Sequence, residues 1–161
     1  WPLLFSGSHG DGSSEPFRRS DRAQWPNACL NYGYAVLRAI TARAICAAGL
    51  MPELGVHHHN RYDAFALASD LMEPFRPWVD QATLQLLDLG PGELDRDRKQ
   101  ALLGIYEAPA RLDSGQTPLW IAIQNSAAQL ASAFTAAQSG ESAPEAAARL
   151  SFPRLSLSDA G

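Results

Sequence analysis

The sequence predicts an all-α fold of about five or six helices, and three observations carry that prediction. Apolar residues recur at steps of three and four over long stretches, which is the period of a helix. Proline and glycine fall mostly at the ends of those stretches, where they start and stop helices. No segment shows the period-two alternation between turn residues that marks a β-hairpin. At 161 residues the chain fits one domain able to bury a core of its own.

Taken in order, the apolar Trp1-Pro2-Leu3-Leu4-Phe5 reads as the end of an interrupted helix. It starts without an initiator Met, so the chain reads as a fragment or a truncated gene product. Ser6 to Arg19 is rich in Gly and Ser and reads as a flexible loop. Arg18, Arg19 and Arg22 form a small basic cluster there, suited to a phosphate backbone or simply to solvent, and His9 is assigned no role.

From Pro26 to about Ala48, Leu30, Tyr34, Leu37, Thr41, Ala44 and Ala48 step at the helical period, with Pro26 in the first turn, Gly49 past the end and Pro52 preventing continuation. Gly33 inside this helix sacrifices about 1 kcal/mol relative to Ala, which implies a close backbone approach. A second helix carries Asp63 to Phe75, and Pro74 and Pro77 should kink or restart it. Trp78 to Leu89 continues helically, facing the core with Val79, Ala82, Leu86 and Leu89, until the breaker Gly90-Pro91-Gly92. Glu93 to Tyr106 forms another helix, with Asp95, Arg96, Asp97, Arg98 and Lys99 on a solvated face of mixed sign. Thr117 and Pro118 start the next, which ends by Gly140. A short helix follows at Pro144 to Leu150, and the chain then frays.

The net charge of −4 argues against a strongly basic nucleic-acid surface. All but one of the thirteen basic residues are Arg, whose planar fork suits phosphate. No run of about 18 uninterrupted apolar residues occurs and no signal-peptide layout opens the chain, so a soluble, cytoplasmic protein with no membrane partner is expected. The two cysteines, Cys29 and Cys46, lie in one predicted helix, about 25 Å apart along its axis, and cannot pair within it. Reduced thiols fit the cytosol.

The stretch Leu54 to Asp80 concentrates the chemistry. Asp70 and Glu73, three residues apart, share one helix face, and Asp63 two turns earlier falls on the same side. The apolar positions around them place these acids at the edge of a buried stripe, where carboxylates need a partner. His58 lies in the preceding loop, and a short fold-back brings an imidazole to the acids. One imidazole with one or two carboxylates suits Mn²⁺ or Mg²⁺. The same residues also read blandly: His57-His58-His59 as a solvated loop, and Glu73 as the ion-pair partner of Arg76 three residues on.

Three strings extend this reading: NACLNYGYAVLRA (Asn27 to Ala39), GLMPELGVHHHNRYDAFALASDLMEPFRP (Gly49 to Pro77) and TPLWIAIQNSAAQLA (Thr117 to Ala131). In this order they resemble the helical C-terminal domain of the CRISPR-associated endonuclease and integrase of spacer acquisition, the first two looking most like the form found in type II systems. The resemblance runs from about Trp1 to Leu150. Its most specific part joins a Gly-x-x-His to an Asp-Leu-Met-Glu-Pro-Phe-Arg-Pro at fixed distance.

That resemblance implies a site and a function. It selects His58 over His57 and His59 as a metal ligand, makes Glu73 the second ligand, and matches Asp70 to an acidic position beside the site. Asn31 and Tyr32 match an Asn-Tyr pair expected to have a structural role near it, with an ordinary core tyrosine as the alternative for Tyr32. By position, Arg61 and Arg76 flank the proposed site as the best phosphate contacts, with an ion pair as the alternative for each. A further ligand glutamate lies, in the family, just upstream of the segment similar to Trp1 to Phe5, and the family's β-rich N-terminal domain is likewise expected to be missing. The implied organisation is residues 1–20 as a helix end plus flexible loop, residues 21–150 as a helical metal- and DNA-binding domain, and residues 151–161 as a C-terminal tail. The implied activity is insertion of spacer DNA by attack of a 3′-hydroxyl on a phosphodiester, using Mg²⁺ or Mn²⁺. The implied partners are prespacer and CRISPR-repeat DNA, a second copy in a homodimer, and the second CRISPR adaptation protein. A non-catalytic helical module that keeps DNA-binding or dimer contacts stands as the alternative.

Overall fold

The computed structural model describes residues 25–58, 60, 62–90, 92–113 and 115–155. The expectations for Trp1 to Phe5, His9, Arg18, Arg19, Arg22, His59, Arg61 and Pro91 lie outside these residues.

The fold is mainly helical, and α1 (Trp25–Ala47) is its axle. It packs against α2 (Ala66–Met72), α3 (Arg76–Asp88), α4 (Arg96–Leu103) and α5 (Leu119–Gln138). Leu30, Leu37 and Ile45 of α1 are fully buried in one core with Leu67, Phe75, Val79, Leu119 and Ile123. Gly33 makes the α1 and α3 contact possible, because a Cβ there would stand 2.5 Å from Cγ1 of Val79. The glycine inside the helix therefore marks the close approach that its helix-propensity cost implies.

Helix ends follow their chemistry. Gly49 closes α1 at φ 78° and Gly90 follows α3 at φ 93°, conformations that a side chain resists. Between α2 and α3, Glu73–Phe75 is a single 3-10 turn, so Pro74 and Pro77 interrupt the helix as expected. α6 (Ala143–Ala147) opens on a capping box in which the Ser142 amide donates to Glu145.

Several local expectations are corrected. Asp63 precedes α2 instead of riding on it: its Oδ1 accepts the Phe65 amide at 2.9 Å, a local turn that competes with helix. Leu89 lies past the end of α3 and is 75% exposed. Arg98 leaves the solvated face of α4. Its guanidinium lies 4.6 Å from the centre of the Trp25 ring and donates to the carbonyls of Glu93 and Gly90.

The helical reading also missed a small antiparallel sheet, order β2-β1-β3, built from β1 (Pro109–Leu112), β2 (Gly115–Pro118) and β3 (Arg154–Leu155). Thr117 and Pro118 end β2 before α5 begins. Trp78 Nε1 donates to the Pro109 carbonyl at 3.0 Å and ties the sheet to α3. The stretch read as fraying docks as far as Leu155: Ser151 bonds Gln129, Phe152 meets Phe75 edge-on at 6.3 Å, and β3 pairs with β1. Among the described residues no helix is long and apolar enough to cross a membrane.

Candidate metal centre

The site is built on the loop between α1 and α2. The Leu67 amide donates to the Pro52 carbonyl at 2.7 Å, which pins the loop's start to the first turn of α2. The Asp63 amide donates to the Asn60 carbonyl, and the Tyr62 amide to the Asn60 side chain, closing the loop's end. Between these pins the chain folds back over α2.

Asp70, in the last turn of α2, receives that fold-back. Its carboxylate accepts the amides of Val56 at 2.7 Å, His57 at 2.8 Å and His58 at 3.2 Å, and it contacts Nδ1 of the His58 ring. Its side chain is only 12% exposed. Burial pushes its pKa up, but the bonds from the His57 amide, the His58 ring and the other two amides outweigh that and hold it below the ordinary carboxylate range. An ionised carboxylate only accepts, so the His58 nitrogen facing it is the protonated Nδ1–H.

Gly55 permits this wrap. A Cβ at that position would collide with the His58 carbonyl oxygen and stand 2.8 Å from Ala66 Cβ. The glycine of Gly-x-x-His is therefore a spacer set by close approach, a role the motif's spacing alone did not reveal.

Glu73 sits one turn beyond Asp70, its amide donating to the Asp70 carbonyl. Its side chain is 48% exposed and pairs with Arg76 at 3.2 Å, so the bland ion-pair reading of these two residues is realised. An exposed pair of this kind is worth at most about 1 kcal/mol, little enough for Glu73 to exchange its partner for a metal ion. Arg76 also lies 4.9 Å from the centre of the Tyr34 ring, and the Tyr34 hydroxyl donates to Asp80. Arg38 on α1, which the sequence did not single out, lies 5.4 Å from the centre of the Phe65 ring just before α2. Tyr32 packs with the small cluster of Cys29, Leu86 and Leu102 on α1, α3 and α4, in keeping with a core tyrosine.

The structure thus joins His58 to Asp70 and leaves Glu73 on Arg76. Among the described residues, no three His, Cys, Asp or Glu side chains form a group able to hold a metal ion. The donors still fit one in part. A histidine oriented through one nitrogen by a carboxylate, with its other nitrogen available, is the usual arrangement of a metal-ligating imidazole. His58 is 44% exposed at its side chain and Glu73 offers an accessible carboxylate.

Comparison with known proteins places this arrangement in context. The family model described as CRISPR associated protein Cas1 matches residues 14–102. The CRISPR-associated endonuclease Cas1 of Neisseria meningitidis is 42% identical over 91 residues, 55% of this chain and 30% of that protein. A CRISPR-associated exonuclease Cas4/endonuclease Cas1 fusion of Geobacter sulfurreducens is 38% identical over 90 residues, 53% of this chain and 16% of the fusion. A CRISPR-associated endonuclease Cas1 of Francisella tularensis subsp. novicida is 39% identical over 87 residues, 53% of this chain and 27% of its own length. The chain thus spans less than a third of each of these relatives.

Proposed function

The chain belongs to the CRISPR-associated Cas1 family, and from that premise we propose that it serves CRISPR adaptation as part of a metal-dependent DNA endonuclease and integrase. The support that carries this reading is an imidazole, His58, oriented through Nδ1 by a half-buried carboxylate, with the accessible Glu73 one turn further on. In this reading His58, through Nε2, and Glu73 hold Mg²⁺ or Mn²⁺ together with the glutamate that the family resemblance puts upstream of Trp1. A bound ion supplies Lewis-acid charge for displacement at phosphorus.

The reaction is a transesterification. A DNA 3′-hydroxyl attacks a phosphodiester at the CRISPR repeat, a new P–O bond forms as the P–O3′ bond breaks, and the hydroxyl's proton passes through solvent to the departing oxygen. His58 acts as a ligand and not as a nucleophile. Arg76 and Arg61 meet the phosphates. The partners are prespacer and repeat DNA, a second copy of the chain in a homodimer, and the second CRISPR adaptation protein, all in the cytoplasm.

The alternative, a non-catalytic helical module for DNA or dimer contacts, is favoured by the pairing of Glu73 with Arg76. Strand transfer of a labelled 3′-hydroxyl DNA in Mn²⁺ separates the two. The integrase reading expects joined product with the glutamate-bearing upstream segment present, lost in Glu73→Ala. No product from that longer protein favours the module, and product that survives Glu73→Ala removes Glu73 from the ligand set.

A further inference from the structure

The wrap of the 55–58 loop around Asp70 assigns that residue a definite task. Both carboxylate oxygens are engaged: Oδ2 takes the Val56 and His57 amides, and Oδ1 takes the His58 amide and ring. The carboxylate is nearly enclosed, in a helix whose neighbouring residues Ala68, Leu71 and Met72 are buried. A ligand carboxylate needs an oxygen lone pair directed at the ion, and these oxygens direct theirs into the loop.

We propose that Asp70 is a positioning residue and not a metal ligand: by accepting the Val56, His57 and His58 amides and His58 Nδ1–H, it fixes the loop and leaves Nε2 as the metal-binding nitrogen. This deepens the metal reading above and rests on it for its functional consequence. The tautomer assignment stands on the geometry alone. Neutral imidazole carries one proton on either nitrogen, and a hydrogen bond to one of them decides which nitrogen can bind a metal. His57 serves as an internal control, since its amide meets Asp70 while its ring is not bonded to it.

The test reads the tautomer directly. Long-range ¹H–¹⁵N correlation of the metal-free ¹⁵N-labelled chain at about pH 8, where an ordinary imidazole is neutral, should show His58 protonated at Nδ1. Asp70→Asn should release His58 to the tautomer mixture shown by His57 and weaken Mn²⁺ binding, read from the Mn²⁺ dependence of Tm, by about 10–100-fold. Asp70→Glu, which keeps the carboxylate, should restore the Nδ1–H signature at least in part. Protonation of His58 at Nε2 in the parent overturns the proposal whether or not either variant folds. An Asp70→Asn variant that loses Mn²⁺ binding with its His58 tautomer unchanged also overturns it, because that is the behaviour of a direct ligand. A parent that shows Nδ1–H, with no Tm response to Mn²⁺ even in the longer protein that carries the upstream glutamate, supports the Asp70 assignment and defeats the metal reading.

Discussion

His58 and its neighbours differ in what each offers, and the differences can be measured. On the proposed function, His58→Ala, which removes the ring that Asp70 orients, should abolish metal-dependent integration by the longer protein. His57→Ala should leave most of it, since among the described residues the His57 ring meets His58 edge-on at 5.7 Å and is not bonded to Asp70. Equal losses at both positions would mean that the loop, and not one imidazole, is what matters. The thiols diverge in the same way. Cys46 is exposed, whereas Cys29 is buried, and its pKa is raised by burial, with Arg98 pulling it down and Asp95 pushing it up. Ellman's reagent should therefore label Cys46 rapidly and Cys29 only after denaturation. A thiol whose folded pKa is raised stabilises the fold fully below the unfolded thiol's pKa, and that contribution is lost as pH rises through the folded value. Labelling of Cys29 should accordingly speed up across that alkaline window, and equal rates for both thiols at neutral pH would contradict its burial.

The helices show which features the sequence made legible. α1, α3 and α5 announced themselves through apolar period and through proline and glycine at their ends, because each buries one continuous stripe. The sheet did not, since β1 buries only Ala110 and β2 buries nothing fully, so no alternating pattern exists to be read. Its one local sign was the turn chemistry of Asp113-Ser114-Gly115, with Gly115 at φ 130°. The candidate site was half legible for a similar reason: His58, Asp70 and Glu73 are conspicuous as residue types, but that Asp70 binds the loop's amides is a tertiary fact. Gly33, in contrast, was legible as an anomaly in a helix. Gly33→Ala gains about 1 kcal/mol of helix propensity and forces a methyl onto Val79, an overpacking of about 1–3 kcal/mol. Urea unfolding should show a net loss for Gly33→Ala, and Val79→Ala in the same chain should reduce that increment or reverse its sign. A Gly33→Ala increment that is the same in the parent and in the Val79→Ala background would show that the two helices do not meet there.

At the scale of the whole molecule, the acidic net charge and the proposed DNA function pull in opposite directions. Charge matters to DNA by where it sits, because each phosphate contact releases counterions locally whatever the total. Near the candidate site Arg76 leans on Tyr34 and Arg38 on Phe65, one from the start of α3 and the other from α1, so the central packing of α1 brings two guanidinium groups to the region of α2. Arg76 also holds Glu73, so replacing it changes more than a phosphate contact. Among the described residues Arg38 is the cleaner probe, being exposed on α1 with its guanidinium face on the Phe65 ring. On the proposed function, Arg38→Ala should weaken binding of the full-length protein to duplex DNA by a similar factor for unrelated sequences. It should also make the slope of log K against log salt shallower by roughly 0.9, the increment for one lost phosphate contact. Measuring affinity by fluorescence anisotropy across a salt series gives both quantities from one titration. A uniform loss with an unchanged slope would mean that Arg38 supports the Phe65 end of the loop mechanically, and an unchanged affinity would move the DNA path away from this face of α1.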